Sequence, residues 1–166
     1  MSWIFEGQEI KSLEDIPEEF KDYEGVIYCI VAHDGSSQEY IGQKRIWKLR
    51  KRVIGERELK TYPDKRKLRK YKSKKGKNKG NWVYYEEIKE DNGLISYTGS
   101  NEKLNKEIKE GLQVTKYILK FVKNKAMLNY WEEKYLICEG VLEHPTKYYN
   151  DNIGGRFFKN NILKNL

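Results

Sequence analysis

The sequence predicts an α+β fold, with a small central antiparallel β-sheet flanked by helices and interrupted by a long lysine-rich insertion. Three observations predict it. Residues 25–42 join an apolar, β-branched run to a tight turn and a returning strand, later segments carry helical periodicity between turn signals, and residues 55–80 carry no apolar periodicity. At 166 residues the chain suffices for one domain with a real core and small additions.

Taken in order, residues 1–24 hold eight acids against Lys11 and Lys21. Ser12-Leu13-Glu14-Asp15 resembles a helix start and Ile16-Pro17-Glu18-Glu19-Phe20 a second short turn, so the segment reads as an acidic N-terminal cap. Gly25-Val26-Ile27-Tyr28-Cys29-Ile30-Val31 has almost no polar group, the pattern of a strand covered on both faces. Ala32-His33-Asp34-Gly35-Ser36-Ser37 supplies an Asp-Gly turn, and Gln38-Glu39-Tyr40-Ile41-Gly42 returns antiparallel. Beyond Lys44, Ile46, Leu49, Val53 and Ile54 recur at helical spacing, which predicts a basic amphipathic helix with Arg50 at the edge of its apolar stripe. Residues 72–80 have low complexity, and the 55–80 insertion reads as a loop that orders on phosphate. Residues 82–89 and 94–97 are expected to pair as a hairpin across Asn92-Gly93, Ser100 to cap a helix ending at Gly111, and residues 114–122 to form a strand. Asn124 then opens a helix whose Met127, Leu128, Trp131, Tyr135 and Leu136 share one apolar face before Gly140 ends it. The expected organisation is a cap over 1–24, a core over 25–155 that contains the insertion, and a tail over 156–166.

The formal net charge of +8 is unevenly placed. Residues 44–79 hold 18 Lys and Arg but only Glu56, Glu58 and Asp64, whereas the other 130 residues hold 15 basic and 22 acidic groups. Opposite charge is nearly absent within the segment, so a bound polyanion accounts for it better than internal pairing. Nucleic acid is the expected partner, contacted by Arg45, Lys48, Lys51, Arg52, Lys72, Lys74, Lys75, Lys77 and Lys79. The 13 Tyr, 5 Phe and 4 Trp argue against disorder. No apolar run approaches the roughly 20 residues that span a bilayer, and the first residues lack the flanks of a signal peptide. Cys29 and Cys138, far apart in apolar surroundings, read as buried free thiols of a reducing compartment, so a cytoplasmic location without membrane contact is expected. His33 and His144 have no partner at ligand spacing, which argues against zinc.

Two tripeptides then coincide: Val26-Ile27-Tyr28 in the first strand and Tyr40-Ile41-Gly42 in the second, separated by eleven residues that contain the turn. Arg50 lies ten residues beyond Tyr40, and Tyr130-Trp131-Glu132 and Tyr148-Tyr149-Asn150 follow in order. With these elements, over residues 25 to about 152, the chain resembles the GIY-YIG nuclease superfamily. Lys44 and Tyr97-Thr98-Gly99-Ser100 resemble small members found in phages and among restriction enzymes. The resemblance implies a metal-dependent endonuclease that hydrolyses double-stranded DNA, with Tyr28 as general base and Tyr40 as its phosphate-orienting partner. It implies Arg50 as a clamp on the scissile phosphate, supported by Lys44, and Glu132 as the protein ligand of one Mg²⁺ or Mn²⁺. Asn150 would position the glutamate or a backbone segment. Physically, a phenol of ordinary pKa near 10 needs surrounding positive charge to serve as a base at neutral pH. Ser100 reads as a helix cap whose neighbouring amides can also bind phosphate.

Cutting both strands takes two active sites or sequential nicks, so a homodimer on DNA is one expectation; homing, restriction and phage DNA processing in a host cell all fit the chemistry. Two rival readings keep the fold or the charge without it. One is a catalytically inactive nucleic-acid-binding protein, motivated by Ile54, where the family commonly has a polar residue one helical turn past the arginine. The other is an RNA-binding accessory protein in which Trp82, Tyr84, Tyr85 and Tyr97 stack on bases.

Overall fold

A computed structural model describes residues 1–35 and 37–163; Ser36 of the expected turn and residues 164–166 of the expected tail lie outside the described residues. Along the chain come β1 (Trp3–Phe5), β2 (Gln8–Ile10), β3 (Gly25–Ala32), β4 (Glu39–Arg45) and β5 (Trp47–Val53). These are followed by α1 (Glu56–Thr61), β6 (Arg69–Lys72), β7 (Trp82–Asp91), α2 (Glu102–Lys109) and β8 (Val114–Val122). The chain closes with α3 (Lys125–Cys138), β9 (Asn152–Ile153), β10 (Phe157–Phe158) and α4 (Lys159–Leu163). The elements gather into two units, one made of residues 1–46 together with the chain from Asn92 onward, the other of residues 47–91.

The first unit is built on a five-stranded sheet in the order β2-β1-β8-β3-β4. As its apolar sequence requires, β3 is an interior strand and nearly all buried, with β4 antiparallel on one side and β8 antiparallel on the other. The α+β class is as expected, but the sheet is mixed, because β1 runs parallel to β8. The acidic opening segment therefore does more than cap the core. Trp3 is buried, its indole N–H donates to the Leu94 carbonyl at 2.8 Å, and its ring stands edge-on to Tyr28 at 5.3 Å. One face of β3 and β4 presents Ile27, Cys29 and Ile41 to Leu128 and Leu136 of α3, and this packing forms the core.

Asn124 caps α3 by accepting from the Met127 N–H at 3.0 Å, and Gly140, at φ +57°, turns the chain out of it, both as the sequence predicts. The cap of α2 is Asn101, one residue past the expected Ser100: Asn101 accepts from the Leu104 N–H at 2.9 Å, while the Ser100 hydroxyl is engaged with Tyr40. Residues 94–97 form a turn, closed by the Tyr97 N–H on the Leu94 carbonyl, and do not pair with 82–89. Both cysteines are free, and Cys138 is exposed at the end of α3 rather than buried.

The second unit is a three-stranded antiparallel sheet, β5-β7-β6, with α1 and a short turn at Lys65–Lys67. The basic helix expected beyond Lys44 is absent, since residues 47–53 form β5. The reason lies in β7. Its acids stand across from the cations: Arg52 pairs with Glu86 at 2.5 Å, Arg50 with Glu90 at 3.1 Å, Lys48 with Glu90 at 3.4 Å and, from β6, Arg69 with Glu87 at 2.9 Å. Internal pairing thus accounts for part of the charge run. The unit still carries 17 Lys and Arg against seven Asp and Glu.

Candidate active site

The β3–β4 hairpin sets the two tyrosines in place. In its register Tyr28 lies opposite Gly42 and Ile30 opposite Tyr40, so both phenol rings project from the face of the sheet away from α3. Their centroids are 6.1 Å apart, and Tyr97 closes the group with its ring edge-on to Tyr28 at 5.7 Å. Glycine at position 42 is a steric requirement, because a Cβ there would lie 2.6 Å from the Tyr28 hydroxyl. Gly99 plays the same part for Tyr40. It combines φ +92° with a Cβ position 2.9 Å from the Tyr40 ring, and the backbone comes close enough for the Tyr40 hydroxyl to meet Ser100 Oγ at 2.9 Å.

The two hydroxyls have different surroundings. Tyr28 is 1% exposed, and burial, followed by Tyr40 and Tyr97, pushes its pKa well above the ordinary phenol value. Burial also raises Tyr40, but the Ser100 hydrogen bond works the other way, and Tyr40 lies on the wall of a cavity of about 580 Å³. The residue expected as general base is therefore the sealed one. Its expected partner is the one that reaches the cavity.

The same cavity is lined by Ser100, Lys103, Glu132, Leu136, Asn150 and Asp151, among others. Glu132 arrives from α3, and its Oε2 accepts from Gln43 Nε2 at 2.8 Å, while the same amide donates to Asn129 Oδ1 at 3.0 Å. Burial raises the Glu132 pKa above the usual carboxylate value and the Gln43 hydrogen bond only partly offsets this, the condition of a carboxylate short of positive charge. The donor set fits a hard ion that keeps most of its water. Three carboxylates, Glu102, Glu132 and Asp151, line the cavity, and among the described residues no group of three His, Cys, Asp or Glu forms a closed cage. Asn150 is engaged with the backbone: its amide accepts from the Ile41 N–H at 3.1 Å and donates to the Ile41 carbonyl at 2.8 Å. Of the two roles expected for it, bracing the backbone is the one its geometry performs.

The remaining expected residues are distributed as follows. Lys44 stands with its ammonium 4.4 Å from the Tyr97 ring centroid. Arg45 is paired with Glu24 at 2.5 Å. Arg50 belongs to β5 in the second unit and pairs with Glu90, as do Lys48 with Glu90 and Arg52 with Glu86 and Glu58. Lys51 lies 4.8 Å from the Tyr85 ring, and Lys72, Lys74, Lys75, Lys77 and Lys79 are at the end of β6 and in the turn before β7. Ile54 is buried just past β5 and shares no helix with Arg50, so the one-turn relation expected between the two positions is not present. Of the four rings expected to stack on RNA, Tyr85 is buried and Tyr97 packs on Tyr28; Trp82 is the exposed one. Sequence reasoning missed Gln43 and Lys103. Gln43 follows Ile41 on the α3-facing side of β4, a period-two signal, whereas Lys103 differs in no visible way from the other lysines.

Among the described residues no helix is long and apolar enough to cross a membrane. No curated protein and no solved structure matches the chain. A family sequence model does, over residues 3–153, taking in β1 and extending well before residue 25. Its description reads "Putative endonuclease segE, GIY-YIG domain", and the chain belongs to that family of GIY-YIG endonuclease domains.

Proposed function

We propose that this chain is a divalent-metal-dependent endonuclease acting on double-stranded DNA, in a homing, restriction or phage DNA-processing setting. The observation that carries the reading is one cavity on which the Tyr40 hydroxyl, the Glu132 carboxylate and the end of β4 braced by Asn150 converge. Exposure favours Tyr40 as the general base and leaves Tyr28 as the buried ring behind it. Burial raises the Tyr40 pKa, so positive charge brought into the cavity must first ionise its hydroxyl; water then attacks phosphorus opposite the 3′ oxygen and gives its proton to that phenolate oxygen. The P–O3′ bond breaks, and the 3′ oxygen takes a proton from solvent, leaving a 5′-phosphate and a 3′-hydroxyl. Glu132 would hold Mg²⁺ or Mn²⁺, which would supply positive charge for the phosphoryl and leaving oxygens. Lys44 adds to the field that favours the phenolate, and Arg50 with the other cations of the second unit holds the DNA backbone. Two copies, or two successive nicks, cut both strands.

Supercoiled plasmid with Mg²⁺ or Mn²⁺ tests the reading. Wild type is expected to nick or linearise it, and Glu132→Ala and Tyr40→Phe to slow cutting by at least about 100-fold. Plasmid left intact by wild type across metals and salt would overturn the nuclease reading, and wild-type cutting by Glu132→Ala would overturn the site. A competition in which structured RNA displaces duplex DNA would turn the substrate to RNA.

A further inference from the structure

We infer that Lys103, at the start of α2, binds the scissile phosphate and is the cationic catalytic residue of the cavity; the inference rests on the endonuclease reading above. The wall of the cavity carries three carboxylates, Glu102, Glu132 and Asp151, and among its described residues Lys103 is the one cation. A phosphodiester entering such a wall is repelled unless positive charge meets it, and Lys103 is the fixed positive charge that the described wall itself carries. Its neighbours hold it in position. The ammonium lies 5.1 Å from the Tyr149 ring centroid and 3.8 Å from Glu107, and the Tyr149 hydroxyl donates to Glu107 at 2.7 Å.

The mount is also tied to the rest of the site. Asn101, which caps α2, donates through its side-chain amide to the Tyr149 carbonyl at 2.9 Å, and the next residue, Asn150, grips Ile41 beside Tyr40. The Ser100 hydroxyl, three residues before Lys103, touches the Tyr40 hydroxyl at 2.9 Å. Tyr40 and Asn150 are thus each tied, by hydrogen bonds or through the chain, to the segment that opens α2, the helix that carries Lys103, within the first unit. Arg50, the residue expected for this task, belongs to the other unit, where its guanidinium pairs with Glu90.

The test compares wild type, Lys103→Ala, Lys103→Met and Lys103→Arg in single-turnover plasmid cleavage, alongside duplex affinity by gel shift and melting temperature. Lys103→Ala and Lys103→Met are expected to lose at least about 100-fold in the cleavage rate with affinity within threefold of wild type, and Lys103→Arg to recover to within about tenfold. A wild-type cleavage rate in a folded Lys103→Ala protein, or a loss carried entirely by affinity, would overturn the assignment while leaving the nuclease intact. If wild type itself fails to cut, titration with inorganic phosphate followed by NMR decides the site: shifts at Ser100 and Lys103 that disappear in Lys103→Ala support it, and their absence in wild type overturns it.

Discussion

Asn150 holds Ile41 by both of its backbone groups, accepting from the N–H at 3.1 Å and donating to the C=O at 2.8 Å. The side chain thereby acts as a strand partner for β4 immediately next to Tyr40, on the side where the sheet has no further strand. Asn150→Ala leaves two backbone groups unpaired in a site where Asn150 itself is 5% exposed, a loss of about 3 kcal/mol. Thermal unfolding should shift down by roughly 6–12 °C, and the cleavage rate should fall more than affinity. Asn150→Asp removes only the donor and sets a carboxylate against the Ile41 carbonyl, so it should not rescue either property.

Gly42 faces Tyr28 across the hairpin, with the Tyr28 hydroxyl 2.6 Å and Cζ 2.8 Å from where a Cβ would stand. Tyr28 has nowhere to retreat, being packed between Trp3 and Tyr97. Gly42→Ala is expected to cost about 1–3 kcal/mol in urea unfolding. Combining it with Tyr28→Phe removes the nearest atom but not Cζ, so a double-mutant cycle should return a partial, favourable coupling.

Burial raises the Glu132 pKa above the ordinary carboxylate value, and the Gln43 hydrogen bond only partly offsets it. The folded protein consequently binds that proton more readily than the unfolded chain, and this carboxylate's contribution to stability falls as pH rises through the interval between the unfolded and folded values. Glu132→Gln keeps an acceptor for Gln43 and removes the charge. It should raise the melting temperature at pH 7 by a few degrees while abolishing cleavage, and the gain should vanish below pH 4. Added Mg²⁺ should raise the melting temperature of wild type and leave that of Glu132→Gln unchanged.

The lysines of residues 72–79 form no cross-strand ion pairs of the kind made by Lys48, Arg50, Arg52 and Arg69, which leaves them to the DNA backbone in the proposed function. Replacing Lys72, Lys74, Lys75, Lys77 and Lys79 by Gln should weaken duplex binding and flatten the slope of log affinity against log salt by up to about 4. The single-turnover rate on saturating DNA should be much less affected.

What could be read from the sequence followed burial. The β3–β4 hairpin and α3 were legible because one or both faces are covered, so strand run, turn, cap and apolar stripe all leave their mark in residue order. β5 was not. Six of its seven residues are solvent-exposed, so no alternation of apolar and polar side chains reports the strand, and chance spacing of Ile46, Leu49, Val53 and Ile54 imitates a helix. β1 was hidden by brevity: of its three residues, Trp3 and Phe5 carry the burial while the surrounding acids dominate the composition. At the site the motif tyrosines and Glu132 were visible, whereas the difference in exposure between Tyr28 and Tyr40 depends on the long-range neighbours Trp3 and Tyr97, which seal one ring. Lys103 depends on a long-range neighbour, Tyr149, that no local pattern announces.

The two ends of the second unit leave and re-enter the first at a single closed point, where the Asn92 N–H donates to the Ile46 carbonyl at 2.9 Å and its side-chain amide to the Arg45 carbonyl at 3.2 Å. The hydrogen bonds of this stem lie wholly within the first unit, so their partners do not depend on the length of the segment between them, and a chain shortened within residues 47–91 is expected to keep the register of β3 and β4.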